Sequence, residues 1–217
     1  MSQEKYFSPR EIYKIIVVGD YNVGKSMIIR NFLELPTEVS EPTIGVEFYS
    51  YQYDDSTKFM IWDLSGHKTF NKLIETYYND IHGIVFVFDL TVRKSFENIN
   101  NWLLNISKKI IDLDKKHFLL IGNKIDKGGR AVTSEEASQY ASLNNMLYYE
   151  INYKNSITPL NYFFRKIATK YINNPKGLNC FKDHNNLCDY VNFSEICLSE
   201  KNLHEQKNKK KHCCILQ

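Results

Sequence analysis

Apolar and polar positions alternate with a changing period up to residue 172, and there the pattern stops. Residues 12–18 (I-Y-K-I-I-V-V) form a β-branched run of the length of a buried strand. They run straight into G-D-Y-N-V-G-K-S, after which residues 25–35 take up a helical period. Residues 46–53 and 58–64 predict two strands, and Asp54, Asp55 and Ser56 supply the turn between them. Residues 84–90 are a further apolar run. Residues 95–113 predict a long amphipathic helix with Phe96, Ile99, Trp102, Leu103, Ile106 and Ile110 on one face. Residues 118–122 predict a strand. Thr133, with Glu136 at capping-box spacing, predicts a helix that continues to about Asn144. Residues 147–151 and 156–172 close the series as strand and helix. Strands alternating with helices predict an α/β domain with a mostly parallel sheet.

The boundaries follow from this pattern: an N-terminal extension at 1–10, a domain at 11–173 and a tail at 174–217. The tail opens on Asn173-Asn174-Pro175-Lys176-Gly177 and is polar and rich in Asn and Lys, a composition that predicts flexibility. With 43% hydrophobic and 14% aromatic residues, wholesale disorder is excluded for the rest. Twenty-eight basic against 25 acidic side chains is too even a balance to indicate a nucleic-acid partner. No apolar run approaches the roughly 20 residues of a membrane helix. The first ten residues lack the apolar core of a secretory signal, and Ser2 in place of glycine excludes N-myristoylation. All five cysteines, Cys180, Cys188, Cys197, Cys213 and Cys214, lie in the tail, so the domain uses neither disulfides nor cysteine-held metal. A zinc site at Cys180, His184, Cys188 and Cys197 has no C-x-x-C knuckle to support it.

Four segments carry chemistry. Residues 19–26 fit G-x-x-x-x-G-K-[ST] between a strand and a helix, where backbone N–H groups wrap phosphates and the helix start adds a positive dipole end. Lys25 would reach the β- and γ-phosphates, and the Ser26 hydroxyl would ligate Mg²⁺. Asn123-Lys124-Ile125-Asp126 follows a strand at the edge where such folds bind ligands. The Asp126 carboxylate can accept from N1–H and the 2-amino group of guanine, a donor pair that adenine lacks. Asn123 would tie this loop to the phosphate loop, and the Lys124 stem would cover the base. Asp63, in Asp63-Leu64-Ser65-Gly66, can hold Mg²⁺ through water, with Gly66 N–H on the γ-phosphate. The Thr43 hydroxyl can complete the Mg²⁺ shell. A P-loop kinase or ATPase shares the first motif, but Asp126 speaks against ATP.

These motifs, in this order, resemble a small GTPase of the Ras superfamily, and within it the Rab family. T-I-G-V-E-F (residues 43–48), I-W-D (61–63), Y-Y-N-D (77–80), V-F-D-L-T (87–91) and the paired terminal cysteines carry the closer likeness. The resemblance implies a six-stranded, mostly parallel sheet flanked by five helices, and GTP/GDP with Mg²⁺ as ligands. It implies nucleotide contacts from Gly19, Asn22, Val23, Gly24, Lys25, Ser26, Met27, Thr43 and Gly66, and from Asn123, Lys124, Asp126, Asn152, Tyr153 and Lys154. It implies Mg²⁺ at Ser26, Thr43 and Asp63, and catalysis by Lys25, Thr43, Gly66 and the residue at 67. Residues 37–48 and 66–79 would form the switch. Phe48, Trp62 and Tyr77 match the aromatic triad that effectors read; core packing is the alternative role. An exchange factor, an activating protein and a prenyl-binding escort are the further partners implied. The molecule would be a monomer on the cytoplasmic face of endomembranes, cycling with the cytosol and regulating vesicle transport.

Several positions depart from the family pattern. His67 stands where a glutamine orients the attacking water, and Lys68 where an acidic residue follows it. Tyr21 and Asn22 replace small residues of the phosphate loop, and Ser65 replaces an alanine. Pro36 falls near the usual base-flanking aromatic. The last guanine motif is degenerate as Glu150-Ile151-Asn152-Tyr153-Lys154, where Tyr153 would serve through its backbone N–H. The segment from Phe48 to Trp62 is short, implying a tight hairpin. These changes predict slow hydrolysis, or at the limit a GTP-bound binding module that barely hydrolyses. The C-terminus, with Cys213-Cys214-Ile215-Leu216-Gln217 behind basic residues, satisfies C-a-a-X and predicts lipidation at Cys213 and Cys214.

Overall fold

β-Branched side chains at 15–18 are buried on both sides of the strand that they form, β1 (Glu11–Val18), so this strand lies in the middle of the sheet. The computed structural model describes residues 11–37, 42–154 and 157–172. The other strands are β2 (Val46–Gln52), β3 (Thr57–Leu64), β4 (Gly83–Asp89), β5 (His117–Asn123) and β6 (Met146–Ile151). They lie in the order β2-β3-β1-β4-β5-β6, and only β2 is antiparallel to its neighbour. The helices are α1 (Lys25–Phe32), α2 (Asn71–Ile74), α3 (Arg93–Ser107), α4 (Ser134–Leu143) and α5 (Thr158–Ile172). The expected six strands and five helices are therefore present.

The sheet separates two cores. Ile15 and Val17 point to the side of α1 and α5, and Ile16 and Val18 to the side of α2, α3 and α4. Each connection leaves a strand at its carboxyl end, and each crossover helix runs back along the sheet. The ends of β1, β3, β4 and β5 thus converge on one edge. The hairpin between β2 and β3 is tight because Asp54 Oδ1 accepts from Ser56 N, Ser56 Oγ and Thr57 N at 2.8–2.9 Å.

Two helices end earlier than their apolar spacing predicts. α1 stops at Phe32, not Leu35, because Glu34 enters the left-handed region at φ 60. Glu34 N then donates to Asn31 O and Leu35 N to Arg30 O, a Schellman closure that satisfies the last carbonyls. α3 stops at Ser107, not Leu113. Ile110 and Leu113 still reach the core, but from a turn and a short 3₁₀ segment (Leu113–Lys115). Thr133 does cap α4, accepting from Glu136 N at 3.2 Å. The Glu136 carboxylate does not complete the capping box; it forms a two-pronged pair with Arg93 on α3.

Phe164 joins α5 to the sheet. It is 1% exposed, and its ring centre lies 4.6 Å from Phe59 and 5.0 Å from Phe32. Phe164→Ala is expected to cost about 3–5 kcal/mol, measured by urea unfolding of the GDP-loaded chain. A loss below about 1 kcal/mol would show that α5 is held by other contacts.

Candidate functional site

The turn between β1 and α1 is shaped by its glycines. Gly24 stands at φ 99, and a side chain there would meet Asn123 Nδ2 at 2.3 Å. Asn22 takes φ 62, a left-handed position that asparagine tolerates and most residues do not. Lys25, the first residue of α1, is buried. Its ammonium donates to Gly19 O at 3.0 Å and Asp20 O at 2.9 Å, inside the loop that it would share with a phosphate. Burial lowers its pKa, against the pull of Asp63 and Asp20.

Ser26, Thr43 and Asp63 come together as expected. Ser26 Oγ donates to Asp63 Oδ2 at 2.5 Å, and Thr43 Oγ1 lies 2.9 Å from Ser26 Oγ and 3.4 Å from Asp63 Oδ2. Burial pushes the Asp63 carboxyl up to about 6, while Lys25 and the two hydroxyls pull the other way. Asp63 Oδ1 is buried with no hydrogen-bond partner. Hard oxygen donors converging beside an unsatisfied carboxylate oxygen fit Mg²⁺. A cavity of about 120 Å³ lies here, lined by Tyr21, Lys25, Met27, Thr43, Ser65 and Gly66 among others. Gly66 closes against the phosphate loop so tightly that a Cβ would sit 2.3 Å from Tyr21 N.

At the cavity's mouth His67 is exposed. Its ring meets Tyr21 edge-on, with centres 6.3 Å apart at 90°. Its Nδ1 accepts from Thr69 N at 3.4 Å, capping the 3₁₀ turn that follows.

Asn123 does tie the loops: its Nδ2 donates to Val23 O at 2.8 Å. Lys124 reaches across as well, donating to Asn22 O at 2.6 Å and pairing with Asp89 at 2.7 Å. Asp126 is exposed within a turn closed by Lys127 N on Lys124 O. Ile125 N donates to Ile151 O, which brings residues 152–154 beside Asp126. There Asn152 Oδ1 accepts from Lys154 N at 3.1 Å, and the Lys154 ammonium lies 5.8 Å from the Tyr153 ring centre. Phe48 and Trp62 are cross-strand neighbours with ring centres 4.8 Å apart, and Tyr77 follows at 5.0 Å from Trp62. All three are partly exposed, so packing and an exposed aromatic surface coexist. Cys213 and Cys214 lie outside the described residues.

Two further anchors carry no local sequence signal. Asp20 receives Asn98 Nδ2 at 2.6 Å and Trp102 Nε1 at 3.0 Å, both from α3. Asp89, which entered only as part of the V-F-D-L-T segment, is the partner of Lys124. Both contacts span long stretches of sequence, so no local pattern announces them.

The Ras family profile matches residues 14–173. The chain is a Rab-family small GTPase. It is 40% identical over 149 residues to the Ras-related protein Rab-1 of Theileria parva, covering 66% of this chain and 67% of the relative. It is 34% identical over 161 residues to Rab-2B of Dictyostelium discoideum, covering 72% and 79%, and 30% identical over 173 residues to Rab-7B of that organism, covering 77% and 87%. Rab-family proteins bind GTP and GDP, and the phosphate loop of this one is pinned to α3 through Trp102. Trp102→Phe is expected to cost about 1.5–3 kcal/mol, because it removes a hydrogen bond to a carboxylate. Chemical denaturation measures the loss, which should shrink in an Asp20→Ala background to the packing cost of the smaller ring.

Proposed function

We propose that this Rab-family chain is a slow GTP/GDP switch on the cytoplasmic face of endomembranes, cycling with the cytosol and regulating vesicle-mediated protein transport. The arrangement of His67 against Tyr21 at the phosphate cavity carries the reading. Lys25 and the loop N–H groups would hold the triphosphate, with Asn123, Lys124 and Asp126 around guanine and residues 152–154 closing the base site. Ser26, Thr43 and Asp63 would hold Mg²⁺, which when bound neutralises charge on the β- and γ-phosphates.

Hydrolysis then needs a group that accepts from the attacking water and donates to a phosphate oxygen. A glutamine amide does both. A neutral imidazole has one donor and one acceptor on a rigid ring, and Nδ1 of His67 lies 3.4 Å from Thr69 N, so the ring can do only part of this job. Tyr21 adds bulk where an activating protein would insert an arginine. Misplacing reacting groups by about 1 Å costs on the order of a hundredfold. Single-turnover hydrolysis of wild type, His67→Gln and His67→Leu tests the reading. His67→Gln is expected to hydrolyse on the order of ten- to a hundredfold faster than wild type. If wild type equals the glutamine variant and the leucine variant collapses, His67 positions water competently and the switch is not slow. The same aromatic pair favours a second reading, a GTP-bound binding module; GTP retained through purification and no measurable turnover would support it.

Phe48, Trp62 and Tyr77 are the proposed effector contacts. An exchange factor and an activating protein would act on the switch residues of a monomer, with an escort protein on the tail. Among the described residues no helix is long and apolar enough to cross a membrane. Attachment is assigned to two geranylgeranyl groups on Cys213 and Cys214, and intact mass of the membrane-extracted chain is expected to show both. A single farnesyl on Cys214 is the alternative mass, and an unmodified chain would remove the anchor.

A further inference from the structure

The edge of the sheet opposite the nucleotide carries a group of exposed apolar side chains. Ile111, in the connection into β5, is 100% exposed, and Leu143, at the end of α4, is 78% exposed. Leu104 on the last turn of α3 and Ile12 near the start of β1 are each about half exposed. All four sit where strands begin or crossover helices end. A groove of about 350 Å³ opens at Leu104, with Leu103, Leu113 and Phe118 also in its lining and Asn144, next to Leu143, at its rim.

Around Ile111 the charge is positive. Residues 108–116 hold four lysines against two aspartates. Lys109 pairs with Glu75 at 3.3 Å and Lys115 with Asp112 at 3.2 Å. Among the described residues, Lys108 and Lys116 have no carboxylate partner.

We propose that this edge is a membrane-contact surface, with Ile111 entering the headgroup boundary of an anionic leaflet and Lys108 and Lys116 meeting its phosphates. An apolar tip between lysines matches the layering of such a leaflet, acyl carbon below and negative charge above. The lysine stems can lie along the apolar surface while their ammonium groups stay at phosphate level. The direction of the chain agrees. A Cβ on Gly83, the first residue of β4, would meet Ile167 and Phe163, so the second half of α5 passes over the strand starts and delivers the chain to this edge. Contact here leaves the phosphate cavity and the guanine loops, at the other edge, facing water. The surface does not depend on the lipid assignment, and the two fail separately: intact mass decides the lipids, and the chain without lipid decides this.

The test uses the full, unlipidated, GDP-loaded chain and vesicles of phosphatidylcholine with or without phosphatidylserine. Ile111→Trp is expected to show quenching by brominated acyl chains above the wild-type background, and only with phosphatidylserine present. Lys108→Gln with Lys116→Gln should weaken vesicle binding about 25-fold, near fivefold for each lysine. Lys68→Gln with Lys72→Gln makes the same charge change at exposed positions beside the nucleotide edge and should change binding far less. Equal weakening by both pairs would mean that the tail and net charge bind alone, and would overturn the proposal. Quenching no greater than in wild type would also overturn it, and would leave the patch to a protein surface.

Discussion

A loop that offers bare N–H groups to a phosphate cannot use them on itself, so it must be held open from outside. Every anchor of the phosphate loop in this chain serves that constraint. Asn123 holds Val23 O from the end of β5, and Lys124 holds Asn22 O from the next position. Asp20 is held from α3 by Asn98 and Trp102. Lys25 bridges the loop's own carbonyls from within. The strand order matters for this reason: β4 lies between β1 and β5, and its last residue, Asp89, is the fixed point against which Lys124 is aligned.

The charges are arranged with equal economy. Lys25 and Asp63 are both buried, and burial pushes each toward its neutral form. Neither would persist as an ion in such a place without an opposite charge nearby. Each attracts the other, and each would also be matched to half of a ligand in the proposed function, the lysine to phosphate and the carboxylate to Mg²⁺. A triphosphate bound with its metal would therefore complete a pairing that the protein alone leaves partial, as the unpartnered Asp63 Oδ1 shows.

Most of the fold was legible because its strands are short, apolar and separated by helices of clear period. The parts that were not have specific causes. α2 is four residues between two 3₁₀ turns and carries no period to detect. The end of α3 was misplaced because Ile110 and Leu113 keep a helical spacing while reaching the core by another route. Ser26, Thr43 and Asp63, which belong to contiguous motifs, come together at one edge of the sheet, and the expected link from Asn123 to the phosphate loop is present. Asp20 was passed over because its position in the motif is unconstrained and its partners lie 78 and 82 residues away. The contact between His67 and Thr69 N in the following turn was likewise not announced by any motif.

The chain has two tryptophans. One, Trp62, packs at a tilt between Phe48 and Tyr77, with the Lys14 ammonium 5.4 Å from its ring centre. The other, Trp102, holds the phosphate loop through Asp20. Each indole therefore sits at one end of the path from nucleotide to aromatic surface, in a different electrostatic setting. The native protein carries its own pair of optical reporters, and unlabelled emission spectra can follow the two ends separately once either ring is replaced by phenylalanine.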